Sequence, residues 1–189
     1  MTSQQCAYLA GFLDADGSIL LQFRPNKKMR FLYRVKAVVV IYQDAHSINL
    51  LRELQSVIGA GYISERNDRI AELRIEGFIQ VEKLLKKLKP YLRFKKSQAD
   101  YLLQALKILK RRKYSLEEFL SVCDLAEAIS AANYKSSQRK HTKQSILNNL
   151  RSNGIVPVTT GFLTEKVQDE DGMLYVEEIT IVNINLKHP

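Results

Sequence analysis

The sequence has few cysteines and no long apolar run. Cys6 and Cys123 show neither a CxxC pair nor Cys/His ligand spacing, which excludes a disulfide framework and a zinc site, so we interpret both as buried thiols. No apolar run approaches the ~18–20 residues of a membrane span, and the first residues, MTSQQCAY, lack the basic and apolar regions of a signal peptide. We therefore expect a soluble, unsecreted protein with no membrane partner.

Length and charge narrow the class of protein further. With 189 residues, of which 46% are hydrophobic and 26% charged, the chain can build one well-buried core. Lys and Arg number 29 against 20 Asp and Glu, a formal net charge of +9. Residues 152–189 hold two Lys and six acidic residues, a net −4, which leaves +13 on residues 1–151. We expect a basic main domain at 1–151 with a polyanionic partner, and an acidic extension at 152–189 that forms a β-hairpin or a partly disordered tail.

A short apolar stretch that ends in acid, YLAGFLDADGSI at residues 8–19, has two unusual features. Three small residues follow helical i, i+4 spacing: Ala7, Gly11 and Ala15. They leave one face of a helix nearly bare, which permits another helix to approach closely. Asp14 and Asp16 lie at the end of this helix, before Gly17, where the macrodipole disfavours each negative charge by ~0.3–1 kcal/mol. A bound divalent cation would offset that cost. The alternative is an ordinary first helix that packs its small face on its own sheet.

The period of the apolar pattern alternates between that of strands and that of helices. After the first helix it predicts strands at 19–24 and 33–42, a helix at 45–58, strands at 62–66 and 70–76, and a helix at 78–88. Further helices are predicted at 95–112, 115–132 and 145–150, and a last hairpin at 162–167 and 174–183. The predicted fold is α+β, with the order αββαββα, an antiparallel sheet and C-terminal helices.

One face of the predicted hairpins collects long polar side chains. Its members are Gln22, Arg24, Arg34, Lys36, Ser64, Arg66, Glu72 and Arg74. Such alternation is common on the solvated face of a half-buried sheet. Four strands that repeat it with Arg, Gln and Lys favour a reader of bases, because these side chains pair well with purine edges and the DNA major groove admits a two-stranded ribbon.

The chain resembles the LAGLIDADG homing endonucleases, in particular the small homodimeric kind encoded in group I introns of organellar ribosomal RNA genes. Three features carry the resemblance: LAGFLDADGSI, the αββαββα order, and PYLRFKKSQA at residues 90–99. The resemblance implies an antiparallel β-sheet saddle that holds DNA, and it extends over about residues 7–150. Only one copy of the motif is present, so a second copy of the chain has to supply the other. The resemblance also implies that the protein is located in an organelle (chloroplast or mitochondrion) or in a prokaryotic cytoplasm.

The resemblance also implies site residues. Asp16 matches the metal-binding Asp, and Ala15 matches the position whose backbone carbonyl helps to ligate the metal, with Mg²⁺ as the suitable ion. Lys95 matches a Lys near the active-site water, and Gln43 matches a polar residue that orders this solvent. The dimer interface would be formed by Ala7, Gly11 and Ala15. Beside Gln43, where the family can carry a further basic residue, this chain offers His46 and Ser47, which leaves the source of one positive charge open.

Further residues are predicted to bind DNA without forming part of the strand pattern. They are Asn26 and Lys28 in the loop after the first strand, and Arg139, Lys140 and Lys143, which would contact phosphates. The expected function is Mg²⁺-dependent cleavage of both strands of a long pseudo-palindromic target, with short 3′ overhangs. The alternatives are an RNA maturase that binds intron RNA, a DNA-binding regulator that does not cut, and a basic ribosome-associated protein. The presence of both Asp16 and Lys95 favours the enzyme.

Overall fold

The computed structural model describes residues 1–111, 113–133 and 141–155, together with the backbone of two strands at 163–168 and 174–179. By their internal contacts the residues divide into two units, Met1–Lys143 and Gln144–Pro189. The predicted basic residues Arg139 and Lys140 lie outside the described residues. Among the helices that are described, none is both long enough and apolar enough to cross a membrane.

The first unit has the predicted order of elements with one addition. Its elements are α1 (Ser3–Asp16), β1 (Gly17–Pro25), β2 (Tyr33–Asp44), a 3₁₀ turn (Ala45–Ser47), α2 (Ile48–Ile58), β3 (Tyr62–Glu65), β4 (Ile70–Glu76), α3 (Phe78–Leu88), α4 (Lys96–Leu109) and α5 (Leu116–Ala131). The αββαββα prediction is confirmed. The 3₁₀ turn was not predicted, because it depends on the Asp44 side chain, which accepts a hydrogen bond from the backbone N–H of His46 at 2.8 Å.

Two later segments complete the description. Helix α6 (Lys143–Ser152) is longer than the predicted 145–150, and α4 is shorter than the predicted 95–112. Strands β5 (Leu163–Gln168) and β6 (Leu174–Ile179) pair as an antiparallel hairpin. The division by contacts comes after Lys143, so most of α6 groups with the second unit. The assignment of 1–151 as the endonuclease domain stays a prediction.

The core of the first unit lies between a four-stranded antiparallel sheet and the helices. The strand order is β1-β2-β4-β3. One face of this sheet is aliphatic and fully buried, as shown by Ile19, Val39, Ile41, Leu73 and Ile75, each 0% exposed. The other face carries the polar side chains that the sequence predicted. Burial of the aliphatic face is the main stabilising term for such a layer.

Helix α1 begins and ends at residues with clear physical roles. A capping box between Thr2 and Gln5 starts the helix. It ends at Asp16, and Gly17 continues in extended backbone (φ −120) as the first residue of β1. Glycine is required there by close approach, since a Cβ would lie 2.4 Å from Leu13 Cδ1 and 2.8 Å from the Leu13 main-chain oxygen. The chain can therefore pass directly from the helix into the sheet.

Both cysteines are free and buried, which confirms the prediction. Burial raises the pKa of the Cys123 thiol to about 12, so this thiol stays protonated and unreactive near neutral pH.

Candidate active site and DNA-binding face

The carboxylate of Asp14 holds a distant segment of the chain against the end of α1. It accepts hydrogen bonds from three consecutive backbone N–H groups: Arg93 at 2.7 Å, Phe94 at 3.3 Å and Lys95 at 2.9 Å. Hydrogen bonds to an ionised acceptor are stronger than those between neutral groups. Asp14 therefore fixes the residues that immediately precede α4.

The Lys95 side chain is brought to the acidic end of α1 by the same arrangement. Its Nζ donates to the main-chain oxygen of Asp14 at 2.5 Å. Burial lowers the pKa of Lys95 below its usual value, and the nearby charges of Asp14 and Asp16 oppose this effect. The structure thus places Lys95 within electrostatic reach of Asp16.

Asp16 has different surroundings from Asp14. It is exposed, and among the described residues its carboxylate has no hydrogen-bond partner. Ala15, beside it, is also exposed. No group of three or more His, Cys, Asp or Glu side chains in the described part of the chain is placed to hold a metal ion. The described part of one chain therefore brings a single available carboxylate to this point, and a second carboxylate would have to come from elsewhere.

Gln43 lies at the end of β2 nearest to Asp16. The register pairs Gly17 with Ile41, so Gln43 comes two residues after the residue opposite the start of β1. Its side-chain oxygen accepts the backbone N–H of Asp44 at 2.9 Å. The structure brings Gln43 to the same end of the sheet as Asp16, and no hydrogen bond joins the two side chains.

His46 is paired within its own turn. Its Nδ1 lies 2.6 Å from Asp44 Oδ1, and its side chain is 83% exposed. The hydrogen bond from the His46 backbone, and then that from its ring, hold the pKa of Asp44 below its usual range. The charge of Arg69 contributes to the same effect, and the Arg69 main-chain oxygen accepts the N–H of Ala45 at 2.8 Å. Arg69 is a cation that the sequence analysis missed, since a turn between β3 and β4 brings it here.

The stripe of small residues on α1, namely Ala7, Gly11 and Ala15, does not pack on the chain's own sheet. Cys6, Leu9, Ala10 and Leu13 form the buried side of the helix. The exposed side carries the small residues Ala7, Gly11 and Ala15. A Cβ added at Gly11 would meet no atom within 4 Å. The alternative of an ordinary first helix whose small face covers its own sheet is therefore wrong.

The register brings the predicted strand residues to one face of the sheet. Gln22 lies opposite Lys36, Arg24 opposite Arg34, and Ser64 opposite Glu72. Tyr62 of β3 lies opposite Arg74 of β4. Arg24 and Arg34 are exposed, and neither side chain has a hydrogen-bond or ion-pair partner among the described residues. This part of the face has free guanidinium groups.

The loop and helix candidates are placed differently. Asn26 Oδ1 accepts the backbone N–H of Lys28 at 3.0 Å, which shapes the loop after β1 and leaves the Lys28 side chain exposed. Lys143 forms an ion pair with Asp124 at 2.7 Å, and its backbone N–H donates to Glu127 at 2.8 Å. Much of the Lys143 charge is therefore offset within the chain.

Two members of the polar face were missed. Glu76 accepts from Lys36 Nζ at 3.2 Å and from the Tyr62 hydroxyl at 3.3 Å. The period-2 pattern could have found both, because Glu76 comes two residues after Arg74 and Tyr62 two residues before Ser64. Burial opposes the ionisation of Glu76, but the hydrogen bond and charge of Lys36 outweigh it and hold the pKa of Glu76 below its usual range.

Comparisons with known proteins agree with this geometry. The profile of the LAGLIDADG endonuclease family matches residues 9–109. DNA endonuclease I-CreI of Chlamydomonas reinhardtii is 32% identical over 139 residues, which cover 74% of this chain and 84% of that protein. DNA endonuclease I-CvuI of Chlorella vulgaris is 35% identical over 107 residues, 57% of this chain and 66% of that protein.

A solved structure extends the likeness to the fold. The crystal structure of I-CvuI in complex with its target, in the presence of 2 mM Ca, superposes with a TM-score of 0.76 and 28% identity, and covers 82% of this chain and 97% of that one. An archaeal intron-encoded homing endonuclease complexed with DNA, only 17% identical, has the same fold with a TM-score of 0.71. The sequence motif, the strand order and the acidic end of α1 agree with these matches. The chain belongs to the LAGLIDADG endonuclease family, and homing endonucleases are its relatives.

Proposed function

We propose that the chain is a divalent-cation-dependent endonuclease that binds a long pseudo-palindromic double-stranded DNA target as a homodimer and cuts both strands, leaving short 3′ overhangs. The observation that carries the proposal is the convergence at the end of α1. There Asp14 fixes the Lys95 segment, and Lys95 comes within electrostatic reach of Asp16. A binding protein that does not cut has no need of a half-buried lysine beside a carboxylate that has no partner among the described residues.

The acidic end of α1 fits a hard cation. The Asp16 carboxylate and the main-chain oxygen of Ala15 are oxygen donors of the kind that Mg²⁺ and Ca²⁺ take, and the exposed carboxylate has no partner among the described residues. We favour Mg²⁺, which keeps several waters when bound to protein. When bound, the cation supplies Lewis-acid activation for phosphodiester hydrolysis. Because each chain brings one such carboxylate, two copies of the chain are needed to cut the two DNA strands.

Lys95 and Gln43 act on the solvent and the phosphate. The Lys95 ammonium, anchored on the Asp14 main-chain oxygen, offers positive charge to the scissile phosphate. Burial lowers the pKa of Lys95, which brings proton transfer through it closer to neutral pH. Gln43, at the same end of the sheet, orients water through its side-chain amide.

Dimerisation follows from the exposed side of α1. The small stripe of Ala7, Gly11 and Ala15 permits a twin helix to approach near the short end of the ~8–10 Å range of interaxial distances. A two-fold axis there would bring both Asp16 carboxylates to the centre of the DNA. The polar faces of the two sheets would then read two half-sites, with Arg24 and Arg34 among the readers and Lys28 on phosphate.

The test is Asp16→Asn, which removes the carboxylate charge but not the helix packing. Wild type and variant are incubated with a library of randomised duplexes and Mg²⁺, and the cleaved ends are sequenced. The wild type should yield a two-fold-related motif with 3′ overhangs, and Asp16→Asn should bind the recovered motif but not cut it. Glu117→Gln, in the first turn of α5, is a control of equal charge change and should cut normally. Binding without cutting by the wild type would instead support a regulator or an RNA maturase.

A further inference from the structure

Half of the polar sheet face is occupied by a continuous chain of ion pairs. Its members, in order, are Lys36, Glu76, Arg74, Glu72, Arg66 and Asp68. Successive charged atoms lie at 3.2, 3.5, 3.0, 3.3 and 2.8 Å along it. We call this set the ion-pair chain. It runs from β2 across β4 into the turn between β3 and β4, whereas β1 takes no part in it among the described residues.

Glu72 is the central member of the ion-pair chain and the most buried. Its side chain is 10% exposed, and its two carboxylate oxygens accept from different arginines, Oε2 from Arg74 NH1 and Oε1 from Arg66 NH1. The other terminal nitrogen of each arginine lies against a second carboxylate, Glu76 for Arg74 and Asp68 for Arg66. A guanidinium reads guanine through two such nitrogens. Both terminal nitrogens of each guanidinium are thus bound to carboxylates in the protein without DNA.

Buried apolar side chains of β2 lie beside the β4 members of the ion-pair chain. Val38 and Val40 are on the polar face but 0% exposed, and the register places them directly opposite Glu76 and Arg74. Charged hydrogen bonds are stronger where water is excluded, and a buried carboxylate that loses its partner is costly. If either arginine swings away, one of the two Glu72 carboxylate oxygens loses its partner.

The β1–β2 half of the face differs. Arg24 and Arg34 lie opposite each other and are exposed, with no side-chain partner among the described residues. Free guanidinium groups of this kind can bind a phosphate or a base wherever the DNA presents one, so they add affinity at least as much as selectivity.

We propose that Glu72 is a specificity-determining positioning residue: it fixes Arg66 and Arg74 in the arrangement in which β3–β4 meets the DNA, and it offsets charge that would otherwise bind any phosphate. Sequence selection by this hairpin then depends on Glu72 even if its carboxylate touches no base. The inference rests on the proposed function of the sheet as the DNA-binding face.

The test compares base preference across variants. Wild type, Glu72→Gln and Glu72→Asp each select from a library of randomised duplexes, with EDTA present so that no strand is cut, and the bound motif and the affinities for selected and random DNA are measured. Glu72→Gln should lower the ratio of selected to random affinity roughly tenfold or more, and flatten the motif at a subset of positions in each half-site. Glu72→Asp keeps the charge but shortens the reach, so it should flatten the same positions.

Glu65→Gln is the matched control, since Glu65 is an exposed carboxylate of β3 opposite Ala71 and outside the ion-pair chain. It should leave the motif unchanged. An unaltered motif in folded Glu72→Asp overturns the inference and leaves only a charge effect. Equal changes in Glu72→Gln and Glu65→Gln overturn it as well. A wild type that selects no motif overturns the proposed function itself, and the inference with it.

Discussion

Asp14→Asn is the substitution that best distinguishes the role of Asp14 from that of Asp16. Asp14 Oδ2 accepts from Arg93 and Phe94, and Oδ1 accepts from Lys95. Asparagine keeps one oxygen, so its amide group must face at least one of these backbone N–H groups. A hydrogen bond to a charged group contributes about 1.5–3 kcal/mol, and water can replace part of it at this half-exposed site. We expect a loss of about 1–2 kcal/mol in the free energy of unfolding.

The effect of Asp14→Asn on cleavage should exceed its effect on stability. The variant loosens the segment that carries Lys95, and a misplacement of ~1 Å at a reacting group can cost ~10²-fold in rate. Single-turnover cleavage should therefore slow by roughly 10–100-fold while DNA affinity stays the same. Because the Asp14 charge raises the pKa of Lys95, its removal lowers that pKa further. Any limb of the pH–rate profile that Lys95 governs should move to lower pH.

The control for this experiment is Asp100→Asn. It makes the same chemical change within α4 but breaks only a half-exposed ion pair with Lys89, for which ~0–1 kcal/mol is expected. Asp100→Asn should leave cleavage and the pH–rate profile unaltered. If Asp14→Asn lost stability but cut at the wild-type rate with an unshifted profile, the three hydrogen bonds would serve the fold alone and the reasoning would be refuted.

Two further predictions concern α1 and the half-buried Lys95. Gly11→Ala should raise the stability of the monomer by up to ~1 kcal/mol, because the added Cβ meets no atom within 4 Å. Gly11→Leu should instead sediment as a folded monomer. A Gly11→Leu protein that is still a dimer and still cuts DNA would contradict the proposed interface. Since burial lowers the pKa of Lys95, the folded state loses this proton at lower pH than the unfolded state, so wild-type stability should gain from Lys95 as the pH rises from the folded pKa toward 10.5. Lys95→Met should lack that gain in urea unfolding at pH 8–11, and the exposed control Lys96→Met should keep it; equal slopes would show that the lysine is not desolvated.

Much of the fold could be predicted because its signals are local. Helix α3 occupies the predicted 78–88, where the apolar positions keep helical spacing and Pro90 follows. The helix α5 was likewise indicated by the capping box of Ser115 and Glu118, which the structure contains. The contacts of Asp14 could not be predicted in this way. Its partners are backbone N–H groups far along the chain, and a backbone donor leaves no mark in the sequence.

The polar sheet face shows the same division between local and distant information. Period-2 alternation placed Ser64, Glu72 and Arg74 on one face, which the register bears out. Which charge meets which depends on the strand order β1-β2-β4-β3, because β2 pairs with both β1 and β4. The pairing of Lys36 with Glu76 follows from that order and joins residues of two different hairpins. Extending the alternation along the sequence would have identified the residues on this face, but not which of them pair with each other.

Two residues of α1 are poorly explained by the stability of a single chain. Gly11 costs ~1 kcal/mol relative to Ala in a helix, although the structure leaves room for a Cβ there. Asp16 places a negative charge at the C-terminal end of the helix, at ~0.3–1 kcal/mol, without the hydrogen bonds that offset the same cost for Asp14. Both costs fall on exposed positions of one helix. In the proposed dimer, Gly11 allows a twin helix to approach, and Asp16 binds a shared cation. The two residues that weaken the isolated chain are therefore the two that the proposed assembly requires.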